Sequence, residues 1–289
     1  MRATTVRAPN WPRARRHVVV VLANAILIIV VVMSIYPMCV MVLNSFKSDS
    51  EVSWNPAGLP MTWTTASYQA VLAYHGGLLR NFLNSVFIAG TGTIFATFFC
   101  SMAAFAFSKY RFRGRDAIFA MLLATMMVPS EITVPPLFLI AARLGWMNTY
   151  QAQIVPLLTS VFGLFMMRQY MLSIPDALFD AARIDGAGNW RLYREIMVPV
   201  AAPVLGAFAI LHFMGSWNSY LWPLIVASDQ KVQPIMVVLP NIRDPVIGYL
   251  PVWGTIMAGC VLATLPLMAV FIAFQDVFLS GVVVGSIKE

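Results

Sequence analysis

The chain has 289 residues, of which 60% are hydrophobic and only 11% are charged, and its mean hydropathy is +0.77. This composition excludes an ordinary soluble domain and indicates an integral membrane protein. The net charge is +7, but the basic residues lie beside the apolar blocks, a distribution that reflects membrane topology and argues against nucleic-acid binding.

Six apolar blocks follow one another along the chain, each at or near the ~20 residues that a helix needs to cross a bilayer. The sequence therefore predicts an all-α, polytopic membrane protein with six transmembrane helices. The blocks cover residues 18–43, 82–107, 117–142, 150–171, 200–225 and 252–275.

The connections between the blocks are short, so little chain remains for a separate soluble domain. We expect a basic N-terminal tail over 1–17, one transmembrane domain over 18–281 and a C-terminal tail over 282–289. This chain should therefore act from within the membrane, in contact with lipid.

The orientation follows from the basic residues, because Lys and Arg are retained on the cytoplasmic side of short loops. Most of them lie in the N-terminal tail, at 109–115 and in or near an insert at 173–199. Both termini and the insert should be cytoplasmic, whereas the loops at 44–80 and 226–251 should lie outside.

The charged, alanine-rich insert separates the fourth and fifth apolar blocks. Ser173 and Asp176 have the spacing of a capping box, which predicts a helix that starts immediately after Ser173. Gly186 and Gly188 predict its end after about three turns, because glycine adopts the left-handed conformation that closes helices.

One face of this predicted helix carries mostly small side chains, which allow another surface to come close. The face consists of Leu178, Ala181, Ala182 and Asp185. A second segment at 189–197 mixes charged and aromatic residues and predicts an amphipathic turn beside the bilayer. We expect a docking surface; an ordinary solvated loop with an interfacial helix is the alternative.

The insert resembles the cytoplasmic EAA loop in the membrane subunits of binding-protein-dependent ABC importers, whose pattern is E-A-A-x3-G-x9-I-x-L-P. The spacing is kept throughout. Asp180 and Val198 stand where the family usually has Glu and Leu, and both replacements are conservative. The matching residues are Asp180, Ala181, Ala182, Gly186, Ile196, Val198 and Pro199.

Three further stretches, at 104–119, 164–187 and 216–224, resemble the carbohydrate-uptake branch of that family, which includes maltose and glycerol-3-phosphate permeases. The resemblance implies the type I ABC importer permease fold, in a bacterial inner membrane. It also implies three kinds of partner: a second, different permease subunit, a dimer of ATP-binding subunits and an extracytoplasmic substrate-binding protein.

In that family the helix of the EAA loop lies in a groove of an ATPase subunit and couples its motion to the permease. The resemblance therefore assigns ATPase coupling to residues of the insert. They are Asp180, Ala181, Ala182, Asp185, Gly186, Arg191, Ile196 and Pro199. The binding protein would dock on the outer loops, whose aromatic residues include Trp54, Trp63, Tyr68 and Tyr249.

The chain lacks the G-x-x-x-x-G-K-[ST] pattern, so it cannot cradle ATP phosphates in a P-loop. We expect a non-catalytic subunit that binds no cofactor, with ATP and Mg on the partner ATPase subunits. The absence of H-E-x-x-H and G-x-S-x-G patterns disfavours an intramembrane enzyme. An ion-coupled secondary carrier is a remote alternative, because Glu131 is the single carboxylate within the six blocks.

Glu131 is the most unusual residue of the predicted spans, since a carboxylate in mid-helix costs about 2.5–3.5 kcal/mol to insert. Pro129, Pro135 and Pro136 flank it, and each removes a helical N–H donor. These features favour a bend that lines a cavity. The alternative is a structural kink in which Glu131 bonds to a neighbouring subunit.

Other candidates for the substrate pathway are His212, Trp217, Asn218 and Asn84. Trp and Asn together suit a sugar, whose rings stack on aromatic groups and whose hydroxyls need amide partners, whereas His212 can equally be a satisfied core group. A sugar or oligosaccharide is the expected substrate. Glycerol-3-phosphate or a glycerophosphodiester is the alternative, disfavoured because no Lys or Arg lies mid-helix to hold a phosphate.

Overall fold

The computed structural model describes residues 13–74, 78–243, 248 and 250–283, and within these ranges the side chains from residue 18 to residue 275. The described chain is helical apart from turns, loops and an isolated bridge between Arg243 and Pro251. The predicted all-α fold is confirmed.

The helices of the first half run from the N-terminus to the start of the insert. They are α1 (Arg13–Ser45), α2 (Asp49–Trp54), α3 (Ala66–Ala73), α4 (Leu79–Lys109), α5 (Arg115–Thr125), α6 (Ser130–Arg143), α7 (Tyr150–Ile154) and α8 (Val161–Leu172). Because the short helices α2 and α3 lie between the first two spans, the loop at 44–80 is folded rather than extended.

The second half contains the insert and the last spans. Its helices are α9 (Ala177–Ile184), α10 (Asn189–Arg191), α11 (Val198–Val200), α12 (Ala202–Trp217), α13 (Leu221–Val226), α14 (Ile235–Val238) and α15 (Trp253–Val283). A π-helical turn, Leu192–Met197, joins α10 to α11. The insert therefore contains two helical segments, as predicted.

Four described segments are long and apolar enough to cross a membrane, and the number rises to six if each of two bent helix pairs is one span. The four are Val18–Ser45, Leu79–Lys109, Tyr150–Leu172 and Trp253–Gln275. The pairs are Arg115–Thr125 with Ser130–Arg143, bent by 97°, and Asn189–Val200 with Ala202–Trp217, bent by 77°. The polytopic architecture is confirmed, with up to six spans.

The third, fourth and fifth predicted spans are not continuous helices. The fourth passes from α7 through a 3-10 turn, Val155–Leu157, and continues as α8. The third breaks after Thr125, and Pro129 caps α6 with φ −56° and ψ 136°, because proline cannot continue the hydrogen-bond ladder of the preceding helix. Pro135 and Pro136 lie inside α6 without ending it. The fifth span stops at Trp217, and the chain becomes helical again only in α13.

The helix α4 is central, since it packs against both α8 and α12, while α15 packs against α1, α3 and α12. The helices α8 and α12 approach closely at Gly163, where a Cβ atom would overlap the ring of Phe208. One buried cluster, which includes Phe179 and Leu192, lies beside the insert. The other includes Trp217 and lies at the opposite end, beside the connections that hold Tyr68 and Ile235.

Loops that were expected on the same side of the membrane lie at the same end of the fold. Lys109 pairs with Asp176 at 2.6 Å, which joins the end of α4 to the insert. At the other end of α4, Nε of Arg80 donates to the carbonyl of Lys231 at 3.0 Å, which joins the two outer loops. This grouping agrees with the expected topology; which end faces the cytoplasm stays a prediction.

Candidate functional site

The first helix of the insert, α9, has eight residues and starts at Ala177. The predicted start immediately after Ser173 is wrong. The hydroxyl of Ser173 donates to a carbonyl of α8 at 2.7 Å, and the carboxylate of Asp176 accepts from Nζ of Lys109 at 2.6 Å. Because neither side chain forms the capping box, α9 has about two turns rather than three.

The end of α9 is a glycine turn, as predicted. Gly186 has a φ of +79°, a conformation that costs other residues about 1–2 kcal/mol. Its amide donates to the carbonyl of Arg183 at 3.0 Å, and the amide of Ala187 donates to that of Ala182 at 2.9 Å. A Cβ atom at Gly186 would have no heavy atom of the described chain within 4 Å, apart from residues next to it in the sequence. Glycine is therefore favoured here by the backbone conformation rather than by a lack of space.

Lys109, in the last turn of α4, fastens the insert to the membrane helices. Its Nζ donates to the carbonyl of Ile174 at 2.6 Å and lies 5.1 Å from the ring centroid of Phe179. The Lys109 side chain is 4% exposed, whereas that of Asp176 is 79% exposed. The hydrogen bond from Lys109 lowers the pKa of the Asp176 carboxyl, which favours the ionised carboxylate in this pair.

One face of α9 is buried and the other is open. Phe179 is 1% exposed, and its ring centroid lies 6.0 Å from that of Phe105. The predicted small-residue face is mostly exposed, but Ala182 turns inward and packs against the core. Ile184 is 86% exposed and Leu178 is 48% exposed, so the open surface is more apolar than predicted.

The charged side chains on the surface of the insert are partly paired. Asp180 bonds to Arg183 at 2.8 Å, and Arg191 bonds to Glu195 at 2.7 Å. Such exposed pairs contribute little to stability, so they are available to exchange partners with a docking surface. The other exposed coupling candidates are Ala181, Asp185, Gly186 and Pro199.

The second segment of the insert is packed on α4. The hydroxyl oxygens of Tyr193 and Ser101 lie 2.7 Å apart, and Met197 is fully buried. Ile196 is half-buried, and Pro199 is exposed at the start of α11. The segment is therefore a fixed support behind α9 rather than a loose connection.

Glu131 does not lie in mid-helix. The bend after α5 places it in the first turn of α6, where the partial positive charge of the helix terminus favours a carboxylate. Its side chain is exposed and accepts from the hydroxyl of Ser130 at 3.1 Å. Within this chain Glu131 does not face the interior. A role in lining a cavity and a bond to a neighbouring subunit would therefore both need contacts from outside the chain.

His212 is a half-buried core residue with both ring nitrogens in contact with polar groups. Nε2 lies 3.0 Å from the carbonyl of Leu157, and Nδ1 lies 3.2 Å from the hydroxyl of Thr93. A carbonyl can only accept, so Nε2 carries a proton, and in the neutral imidazole Nδ1 then accepts from the hydroxyl of Thr93. His212 thus joins α4 to α12, in agreement with the satisfied-core alternative.

Trp217 is not available to stack on a sugar in this conformation. It is 1% exposed, its Nε1 donates to the carbonyl of Ala263 at 3.2 Å, and Phe82 meets it edge-on at 5.6 Å. Asn218 is exposed, and its side chain donates to the carbonyl of Met214 at 2.9 Å. The two neighbours therefore point to different surroundings, and only Asn218 is accessible.

Asn84 is buried and holds the loop at 230–233 against α4. Its amide nitrogen donates to the carbonyls of Lys231 and Gln233 at 3.0 and 2.9 Å, and its oxygen accepts from the hydroxyl of Tyr150 at 2.7 Å. All these bonds are internal to the chain. The structure therefore gives Asn84 a positioning role and does not gather the five pathway candidates around one cavity.

Solved structures share this fold. A bacterial ABC transporter involved in the import of the acidic polysaccharide alginate gives a TM-score of 0.81 over 93% of this chain and 99% of that chain, at 23% identity. A bacterial alginate ABC transporter in complex with alginate pentasaccharide-bound periplasmic protein gives a TM-score of 0.65 over 92% and 96%, at 12% identity. At such identities the likeness shows the fold.

Sequence relatives extend over nearly the whole chain. The arabinooligosaccharides transport system permease protein of Halalkalibacterium halodurans is 34% identical over 258 residues, 88% of this chain and 91% of its own length. The lactose transport system permease protein of Rhizobium radiobacter is 32% identical over 95% and 98% of the two chains. The sn-glycerol-3-phosphate transport system permease protein of Rhizobium meliloti is 31% identical over 93% and 98%.

Residues 96–284 match the family of binding-protein-dependent transport system inner membrane components. The chain belongs to this family. It is a multi-pass permease of the inner membrane, and the family assignment confirms the expectation of a non-catalytic transport component that binds no cofactor itself. The matched region contains the whole insert, so the α9 surface is part of the family's shared domain.

Three residues that position the permease's surfaces were missed from the sequence: Asn81, Lys109 and Phe179. Asn81 donates to the carbonyls of Gln230 and Gln233 at 3.0 and 2.9 Å, beside the bonds of Asn84. An Asn pair three residues apart on one helix face was a readable signal. Phe179 was the single aromatic residue of α9, which could have marked it as the buried one.

Proposed function

We propose that the permease forms half of the translocation pathway of an ATP-driven ABC importer for a sugar or oligosaccharide. The observation that carries this proposal is the similarity, over most of both chains, to permease proteins of arabinooligosaccharide and lactose transport systems. A second, different permease subunit would form the other half. A dimer of ATP-binding subunits would hydrolyse ATP, and an extracytoplasmic binding protein would deliver the substrate.

The helix α9 is the proposed coupling helix. Its open side presents Leu178, Ala181 and Ile184 to the groove of an ATPase subunit, and the exposed pair of Asp180 and Arg183 lies beside them. A helix of eight residues is not stable alone, so its inward contacts must hold it in shape. Gly186 closes the helix, while Arg191, Ile196 and Pro199 belong to the support behind it.

The proposed topology has both termini and the insert in the cytoplasm, with 18–281 as the transmembrane domain. The binding protein would dock at the other end, where Trp54 and Trp63 are 61% and 66% exposed. The ring of Tyr68 is less available because it packs 5.2 Å from that of Phe46. The proposed tails are 1–17 and 282–289, of which residues 1–12 and 284–289 lie outside the described residues, as does Tyr249.

The proposed contributions to the pathway differ among the five candidates. Asn218 and Glu131 are exposed and can meet substrate or the second permease subunit. Asn84, His212 and Trp217 are engaged within the chain and would shape the pathway indirectly. The proposal therefore keeps Asn218 and Glu131 as candidates for direct contact.

Glycerol-3-phosphate or a glycerophosphodiester is the second candidate substrate, favoured by the 31% identity to the glycerol-3-phosphate permease protein of Rhizobium meliloti. A phosphate group favours Arg or Lys as its partner. The cations of the described spans lie near span ends, and Arg168, in the last turns of α8, donates to the carbonyl of Phe107 at 3.2 Å. Charge placement therefore favours a neutral sugar.

The deciding experiment is the ATPase activity of the co-expressed complex in lipid, with binding proteins loaded with arabinooligosaccharide, lactose or glycerol-3-phosphate. Stimulation by a sugar-loaded protein supports the proposal, and stimulation by glycerol-3-phosphate alone selects the second candidate. A chain that transports substrate without any ATPase subunit would instead be an ion-coupled carrier.

A further inference from the structure

The connection between α4 and α5 exposes two arginines on either side of a phenylalanine. Arg111, Phe112 and Arg113 are all exposed, and Phe112 keeps 42% of its surface open. Among the residues that the structure describes, neither arginine forms an ion pair, although Arg111 is close enough to Asp176 to help lower the pKa of that carboxyl. Both guanidinium groups are therefore available to an anion from outside the chain.

The basic residues around this triplet are committed to internal contacts. Lys109 is buried beneath the insert, and Arg115 pairs with Asp116 at 3.0 Å. Arg168 lies 4.0 Å from the ring centroid of Phe119. The free positive charge of the connection is thus concentrated on the two arginines that flank Phe112.

The backbone of the connection is held in place from both sides. The hydroxyl of Tyr110 donates to the side chain of Asn189 at 2.9 Å, and its ring packs 5.3 Å from that of Phe105. The amide of Arg115 donates to the carbonyl of Phe112 at 3.2 Å. Because Tyr110 points inward, the following three side chains are presented outward on a fixed backbone.

The length of α4 sets the depth of the triplet in the membrane. The helix has 31 residues and is therefore about 46 Å long, close to the ~40–45 Å of a bilayer with its headgroup layers. A helix of this length that crosses the bilayer without much tilt has its two ends in the two headgroup layers. The ring of Phe112, 5.5 Å from that of Phe107, then lies at the boundary with the acyl chains, and the arginines lie at the level of the phosphates.

We propose that Arg111, Phe112 and Arg113 form a binding site for the headgroup of an anionic phospholipid. The planar guanidinium groups donate paired hydrogen bonds to phosphate oxygens, and the phenylalanine ring packs against the first carbons of the acyl chains. A bound lipid would fix the α4–α5 connection beside Lys109, and hence beside the start of the insert. The site does not depend on the transported substrate.

The test measures lipid binding to the full-length permease, purified in mild detergent with the subunits that accompany it. Native mass spectrometry counts bound dioleoylphosphatidylglycerol, with dioleoylphosphatidylcholine as the neutral comparison. Each basic residue near an anionic surface contributes about fivefold in affinity, so the double variant R111Q/R113Q should bind phosphatidylglycerol about thirtyfold more weakly. Its affinity for phosphatidylcholine should not change.

Two further variants serve as controls. R111K/R113K keeps the charges and should keep most of the phosphatidylglycerol binding, which separates loss of charge from loss of structure. Arg143 is an exposed arginine in the last turn of α6, so R143Q removes a comparable charge elsewhere and should leave binding unchanged. Added salt should weaken binding of phosphatidylglycerol to the wild type.

Unchanged phosphatidylglycerol affinity in R111Q/R113Q would overturn the proposal, as would an equal loss in R143Q. Loss of an accompanying subunit from R111Q/R113Q at unchanged lipid affinity would also overturn it, because the connection would then be a protein-docking surface.

Discussion

Replacement of Phe179 by alanine tests whether α9 depends on its buried side for its structure. The ring is 1% exposed and packs beside Phe105 and the ammonium group of Lys109. Removal of a buried phenylalanine ring costs about 3–5 kcal/mol. The lower end applies here because α9 is short and packs on one face only, and ~3 kcal/mol shifts the equilibrium between docked and undocked helix by about a hundredfold.

Amide hydrogen exchange in the reconstituted complex measures this shift, because exchange reports local opening. In F179A, protection of the α9 amides should fall about a hundredfold while α4 and α12 remain protected, and ATPase activity should no longer respond to the loaded binding protein. The matched control is I184A, which truncates a side chain that is 86% exposed. It should leave α9 protection unchanged and weaken only the association with the ATPase subunit.

Wild-type protection of α9 in F179A would refute the reasoning, because the ring would then not hold the helix. Loss of protection in I184A would do so as well, since the open side would then be part of the fold. Normal ATPase coupling in F179A despite an unprotected α9 would show that the helix is not the coupling element.

Three further predictions address single positions. Replacement of Gly186 by alanine should destabilise the docked α9 by about 1 kcal/mol because of the left-handed backbone. The same change at Gly188, whose φ is −75°, should not destabilise it. Equal rates of amide hydrogen exchange in the two variants would contradict this prediction. The pKa of Asp176 lies below its ordinary value of 3.8, so its bond with Lys109 contributes fully above that value and is lost only as the pH falls through the lowered pKa. Exchange of the α9 amides should rise in that acidic range in the wild type and show no such step in D176N. Trp217→Phe removes one buried hydrogen bond, worth about 1 kcal/mol, and leaves a cavity where the indole was buried, so the loss of stability in thermal unfolding should exceed that of the bond alone. A changed substrate preference of the stimulated ATPase would contradict the assignment of Trp217 to the core.

The fold class and the C-terminal end of α9 show what local sequence can predict, and the start of α9 shows what it cannot. Apolar block length requires helices in a bilayer, and a glycine at the end of a helix predicts a left-handed turn, which Gly186 adopts at φ +79°. The start of α9 was mispredicted because Asp176 bonds to Lys109, which is 67 residues away in the chain. A capping-box spacing carries no information about such a distant competitor.

The pathway candidates were harder to predict because their roles depend on tertiary bends and packing. Glu131 looked like a mid-helix carboxylate until the 97° bend placed it in the first turn of a new helix. The prolines indicated that a bend exists, but not that Pro129 alone would end the preceding segment. Trp217 and Asn218 are adjacent in the sequence, yet the end of α12 leaves one buried and the other exposed.

The unbroken length of α4 has a mechanical consequence. Asn81 and Asn84 bond one end of this helix to the loop at 230–233, and Lys109 bonds the other end to the start of the insert. Within one rigid body about 46 Å long, a rotation of roughly 10° about its middle moves the two ends by about 4 Å in opposite directions. When α4 moves in this way, a displacement of the loop at 230–233 reaches the start of the insert in the same step, without a relay of side-chain rearrangements between them.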